Sequence, residues 1–175
     1  MIVIVAGLPG TGKTTLARAL ASRTSGRVLN KDEIRHAIFV DSEIEYSSAQ
    51  DDFCLHVMLE TAGYLLRRDS ERMIFFDGRT FSRRYQIDNV LNAAASLHQP
   101  WRIVECVCSD ETAQRRLASD AESRNHPAGN RNYDLYLEVK ARFEAITLPR
   151  IVADTGQSLE VCVRQVMEKV NHEGH

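Results

Sequence analysis

A parallel α/β sheet covered by helices on both faces is the fold class that the sequence predicts, on three observations. Short apolar runs alternate with stretches of helical periodicity along the whole chain, the pattern of strands joined by helical crossovers. The first apolar run passes through a glycine-rich turn straight into a helix-forming segment. A chain of 175 residues, 43% hydrophobic and 26% charged, suffices for one domain over residues 1–175 with a real core. The net charge of −2 argues against tight, nonspecific binding to duplex nucleic acid. With the first strand at residue 2 there is no room for a signal peptide, and no apolar run is long enough to span a bilayer. The expectation is a soluble cytoplasmic protein with no membrane partner.

Ile2-Val3-Ile4-Val5-Ala6 is the first strand, and Gly7-Leu8-Pro9-Gly10-Thr11-Gly12-Lys13-Thr14 follows it, matching G-x-x-x-x-G-K-[ST] at every fixed position. Gly7, Gly10 and Gly12 let the backbone curl so that successive N–H groups form an anion-binding nest. A helix starting near Lys13 adds the positive end of its dipole. Lys13 is then placed to reach the β- and γ-phosphates of a nucleotide and Thr14 to hold Mg²⁺, so Gly7 through Thr15 form the candidate nucleotide site.

Val28-Leu29-Asn30 reads as a second strand, followed by a helix from about Asp32, with Ile34, Ala37 and Ile38 at helical spacing. Ser47 with Gln50 is a capping-box signature opening a long helix striped by Leu55, Met58, Leu59, Ala62, Leu65 and Leu66. Met73 to Phe76 is the third strand, ending at Asp77-Gly78, and Ile87, Val90, Leu91 and Ala94 mark the next helix. Trp101 to Cys108 is the fourth strand, and Asp110 caps a short helix through Leu117. Residues 119–132 are poor in apolar side chains and read as a mobile loop, a short lid. Leu135, Val139, Phe143 and Ile146 predict one more helix, Ile151 to Asp154 the fifth strand, and Leu159 through Val170 a closing helix. The four cysteines, Cys54, Cys106, Cys108 and Cys162, form no C-x-x-C pair and read as reduced thiols, with Cys106 and Cys108 on one face of the fourth strand.

Ligands of such sheets bind beyond the carboxyl ends of the strands, which gathers the phosphate loop, Asp32, Asp77 and the segment after Cys108 at one edge. Asp32 and Arg35, three apart on a helix, can reach one cleft, the carboxylate to take the proton of an attacking hydroxyl and the guanidinium to grip an acceptor phosphate. Asp77 can contact a Mg²⁺ water shell or the acceptor, so Thr14, Asp32 and Asp77 are the candidate metal contacts. Arg79 and Arg131 are further candidates for the acceptor, and Arg116 and Arg124 for the nucleotide, with Arg116 also a candidate for stabilising transferred charge. Arg115 reads as surface charge and His126 as a polar loop residue.

Together, Gly7 to Thr14, Asn30-Lys31-Asp32-Glu33-Ile34-Arg35 and Asp77-Gly78-Arg79-Thr80-Phe81-Ser82 resemble the P-loop kinases of the polynucleotide kinase and zeta-toxin type, and more distantly adenylylsulfate kinases. The resemblance implies a three-layer, nucleoside-kinase-like P-loop fold with a five-stranded parallel sheet and a short lid. It also implies that Lys13 and Thr14 serve ATP and Mg²⁺, that Asp32 is the general base, and that Arg35 binds an acceptor phosphate. Asp77 would help to hold the acceptor and lid arginines would clamp ATP. The expected activity is transfer of the ATP γ-phosphate to a hydroxyl of a small or nucleotide-like acceptor. A polynucleotide 5′-hydroxyl kinase and a regulatory NTPase without an acceptor are the alternatives.

Overall fold

The computed structural model describes residues 1–123 and 132–172. Five strands, β1 (Ile2–Ala6), β2 (Arg27–Asn30), β3 (Ile74–Asp77), β4 (Trp101–Val107) and β5 (Ile151–Asp154), form one sheet in the order β2-β3-β1-β4-β5. Every neighbouring pair is parallel. Seven helices accompany them among the described residues: α1 (Lys13–Thr24), α2 (Lys31–Ile38), α3 (Ser48–Arg68), α4 (Arg84–Ser96), α5 (Asp110–Ser123), α6 (Tyr133–Ala141) and α7 (Leu159–His172).

The central strand shows why three layers form. All of β1 is buried, and its side chains alternate between two cores. Ile2, Ile4 and Ala6 pack with Leu55 and Met58 of α3 and Ile87 and Val90 of α4. Val3 and Val5 pack with Leu16 and Leu20 of α1 and Val163 and Val166 of α7. A smaller cluster of Ala113, Leu117 and Tyr136, with Leu8 against it, supports the phosphate loop from α5 and α6. No helix among the described residues is long and apolar enough to cross a membrane.

Several element ends differ from the sequence expectation, each for a local or tertiary reason. Helix α2 starts at Lys31, not Asp32, because the Asn30 side chain accepts the amides of Asp32 (2.9 Å) and Glu33 (3.1 Å) and so caps it. Ser47 caps α3 as expected, accepting from Gln50 N at 3.1 Å, but the Gln50 side chain turns to the Glu45 amide and the Glu43 carbonyl. Ser109, not Asp110, takes the capping role on α5, its hydroxyl accepting from Thr112 N at 3.2 Å. That helix continues to Ser123 and absorbs the first residues of the expected lid. Arg124, His126 and Arg131 lie outside the described residues. Helix α6 ends at Ala141, so Phe143 and Ile146 reach the core from an irregular segment. That segment is held by Glu144, whose amide donates to Ser82 O (2.9 Å) and whose carboxylate accepts from Arg84 N (2.7 Å) at the start of α4. A carboxylate sixty positions away thus satisfies a helix N-terminus. Cys108 falls just past the end of β4, so it does not extend the strand face that Cys106 occupies.

Freed from capping, Asp110 ties α5 to α6, accepting from Lys140 Nζ (2.6 Å) and Tyr136 Oη (2.6 Å). Lys140 and then Tyr136 hold its carboxyl below the ordinary aspartate range. A folded-state pKa below the unfolded one gives stability that is present above the unfolded value and lost as the pH falls through the folded value. Amide exchange in α6 is therefore expected to accelerate as the pH drops below about 4. Asp110→Asn should remove that pH dependence.

Candidate active site

The carboxyl ends of the strands open onto a cleft of about 580 Å³. The phosphate loop forms one wall of it, with Pro9, Gly10, Gly12, Lys13, Thr14 and Thr15 lining the space. Gly12 precedes α1 without any side-chain cap, and the first turn of the helix holds no acidic residue. The orphan amides of that turn and the positive dipole end are thus left for an anion. Lys13 is buried, and its Nζ donates to Leu8 O at 2.7 Å across the loop. Thr11 braces the same carbonyl through its hydroxyl at 2.8 Å. Gly7, at φ 137°, is joined to the segment after β3 by its amide, which donates to Thr80 O at 3.1 Å.

Asp32 stands on the opposite wall, 5% exposed and lining the same cleft. Its Oδ1 accepts from Arg35 Nη1 at 2.8 Å and lies 3.3 Å from Lys31 Nζ. Arg35 is fully buried and does not line the cleft. Its second amino group binds Asp51, a residue of the first turn of α3, and its guanidinium stacks 5.0 Å from the Tyr46 ring centre. Lys31 Nζ also bonds Asp51, at 2.7 Å. Neither Asp51 nor Tyr46 carries a sequence signal for this site, because an acid in the first turn of a helix reads simply as dipole stabilisation.

Asp77 is fully buried at the end of β3, in register with Asn30 at the end of β2. Asn30 Nδ2 donates to Asp77 Oδ2 at 2.7 Å, while Asp77 Oδ1 has no hydrogen bond. Such an oxygen, with the Thr14 hydroxyl on the loop, is the donor set Mg²⁺ favours, since that ion takes one or two protein oxygens and keeps water and phosphate for the rest. Thr14 lines the cleft and fits the metal, whereas Asp77 is fully buried and, like Arg35, does not line it.

The arginines divide. Arg79 is 3% exposed, its Nη2 2.6 Å from Asp52 Oδ1 and its guanidinium 6.0 Å from the Tyr85 ring. Arg116 lines the cleft beside the phosphate loop but is braced, donating to Thr155 O (2.7 Å) and Thr155 Oγ1 (3.1 Å). Thr155 Oγ1 in turn donates to Thr11 O at 2.9 Å, so Arg116 stiffens the back of the loop. Sequence reasoning passed over Thr155, although its place just beyond β5 is where the strand-end rule looks for ligands. Arg115 is exposed. The thiols below the loop stay protonated: burial pushes Cys106 up to about 12 and raises Cys108 and Cys162.

The chain is similar in structure to a candidate kinase from Chloroflexus aurantiacus, at 24% identity and a TM-score of 0.74, covering 95% of this chain and 96% of that one. It is similar to an APS kinase from Mycobacterium tuberculosis in complex with AMPPNP and APS, at 16% identity and a TM-score of 0.72, covering 97% and 96%. A sugar kinase from Janibacter sp. is also similar, at 18% identity and a TM-score of 0.70, covering 97% and 94%. At these identities the likeness shows the fold, that of P-loop kinases. No curated protein matches the chain. The family model described as an AAA domain matches residues 2–146, the span that contains the phosphate loop, Asp32 and Asp77, and the chain belongs to that AAA domain family.

Proposed function

We propose that the protein is an ATP- and Mg²⁺-dependent kinase of the polynucleotide kinase and zeta-toxin type, moving the γ-phosphate of ATP to a hydroxyl of a small or nucleotide-like acceptor. The observation that carries this reading is Asp32, a nearly buried carboxylate facing, across one cleft, an uncapped helix N-terminus and a phosphate-loop lysine. In the reaction the acceptor oxygen attacks the γ-phosphorus, the bond to the β-phosphate oxygen breaks to leave ADP, and the hydroxyl proton passes to Asp32. Lys13 turns from the Leu8 carbonyl to the phosphates, and the amides opening α1 hold the charge. Thr14 would hold Mg²⁺ at the cleft, with the Asp77 carboxylate behind it, and the ion would supply charge neutralisation on the phosphates. Asp32 gives its proton up after transfer.

Purified protein with ATP and Mg²⁺ is expected to consume ATP only when a suitable acceptor is added, in a screen of sugars, nucleosides and nucleotides, adenylylsulfate and oligonucleotide 5′-hydroxyl ends. EDTA should abolish that turnover, and Lys13→Ala should lower it about 10²–10³-fold. Acceptor-independent hydrolysis at the same rate throughout would overturn the reading in favour of a regulatory NTPase.

A further inference from the structure

Arg79 is the buried cation whose hydrogen-bonding capacity the fold leaves mostly unspent. It is 3% exposed and lines the cleft. A guanidinium carries five N–H donors. Among the described residues this one makes a single hydrogen bond, from Nη2 to Tyr85 Oη at 3.4 Å, and its Nε and Nη1 make none. Asp52 Oδ1 lies 2.6 Å from Nη2 but is too poorly aligned to accept a hydrogen bond. A buried cation left in that state is costly, and a ligand that completes its bonds removes the cost.

The position of Arg79 points to the acceptor. Gly78, at φ 83°, brings the end of β3 so close to α2 that an added Cβ would lie 2.7 Å from Lys31 N. Arg79 therefore leaves the sheet beside the start of α2, the helix that carries Asp32. Its partner Asp52 adjoins Asp51, the residue that meets Lys31 and Arg35 on that wall. Arg142 is brought to the same side, because Glu144, two residues on, donates its amide to Ser82 O.

These cations differ in how firmly they are held. Lys31 and Arg35 are committed to Asp32 and Asp51, and Arg35 is fully buried. Arg79 and Arg142 face carboxylates with solvent-exposed side chains, Asp52 and Glu138, which can turn out to water. Arg79 Nε and Nη1 are shielded in this arrangement, but what holds the guanidinium acts at Nη2 alone. An anion that displaces Asp52 meets a planar fork able to bind it through two nitrogens.

We propose that Arg79 sets acceptor specificity: its guanidinium binds an anionic group, phosphate or carboxylate, that the acceptor carries apart from its reacting hydroxyl. Asp52 holds the place of that anion until the acceptor arrives, and Arg142 adds charge on the exposed side. The grip expected of Arg35 thus falls to Arg79. This inference rests on the kinase reading and narrows its substrate class to anionic alcohols.

The test measures acceptor-dependent ATP consumption on matched pairs: ribose against ribose 5-phosphate, adenosine against AMP, and glucose against gluconate. The first two pairs probe a phosphate and the third a carboxylate. Wild-type protein is expected to prefer the anionic member of the active pair by about 10-fold or more in kcat/KM. Arg79→Gln should lower kcat/KM for that member about 10- to 100-fold, mostly through KM, and so shrink the preference, with KM for ATP unchanged. Asp52→Asn removes the competing carboxylate and should lower KM for the anionic member about 2- to 5-fold, a gain that a purely structural role for Arg79 would not produce. If Arg79→Gln does not fold, Asp52→Asn decides: an unchanged KM for the anionic member overturns the inference. A raised KM for ATP in Arg79→Gln with the acceptor preference intact overturns it as well. An uncharged member preferred by the wild type, with transfer lost in Asp32→Asn, overturns this inference and leaves the kinase reading standing. Turnover with neither member of any pair, in protein that binds ATP, overturns the kinase reading and this inference with it.

Discussion

Asp32→Asn is expected to lower acceptor phosphorylation about 10²–10⁴-fold, the range a positioned general base contributes. The change is isosteric but removes the only function the reaction needs from this side chain, the ability to take the hydroxyl proton. ATP binding should persist, because Lys13, the amides opening α1 and Thr14 lie on the other wall of the cleft. Truncating one partner of a buried ion pair commonly costs about 3–5 kcal/mol. Here the loss should fall below that range, since Arg35 keeps Asp51 as a partner. A thermal melt alongside the rate assay separates the two effects. Near-normal transfer in a folded Asp32→Asn protein would show that the base lies elsewhere.

Gly7→Ala is expected to damage the protein itself. At φ 137° this residue sits where side chains are strongly disfavoured, and an added Cβ would run into the Cys106 carbonyl oxygen and come within 2.9 Å of Thr11 Oγ1. Relief is blocked on every side. Cys106 is fixed in β4 by the parallel pairing of Ala6 with Glu105, the Gly7 amide is bonded to Thr80, and Thr11 is bonded to Leu8. Backbone strain of about 1–3 kcal/mol and overpacking of about 1–3 kcal/mol add to a loss of roughly 2–6 kcal/mol. Against the usual total of about 5–15 kcal/mol, that should appear as a large fall in the urea midpoint, accompanied by loss of nucleotide binding. An unchanged midpoint would mean that the loop adopts another path in solution.

Much of the fold is legible in the chain because its signals are local. The alternation of Ile2, Ile4 and Ala6 with Val3 and Val5, the stripe from Leu55 to Leu66 and the cap at Ser47 all concern neighbours within a few positions. The phosphate-loop motif is more local still, eight consecutive residues from Gly7 to Thr14. Helix ends were harder. The Ala141 terminus and the Glu144 cap on α4 depend on a tertiary contact, and the extension of α5 to Ser123 passes through a stretch with few apolar side chains.

By itself, then, the sequence determined the parallel α/β class, the phosphate-loop motif between β1 and α1, and the strand ends that carry Asp32 and Asp77, because periodicity and contiguous motifs are properties of neighbouring residues. Only the tertiary structure decided what surrounds those residues. Asn30 meets Asp77 across 47 positions, Arg116 meets Thr155 across 39, and Arg35 meets Asp51 across 16. Those meetings are set by strand register and helix packing, to which no local pattern is sensitive. The consequence is largest at Arg35: its spacing from Asp32 points into the cleft, yet the carboxylate of Asp51, delivered by another helix, holds it in the protein interior.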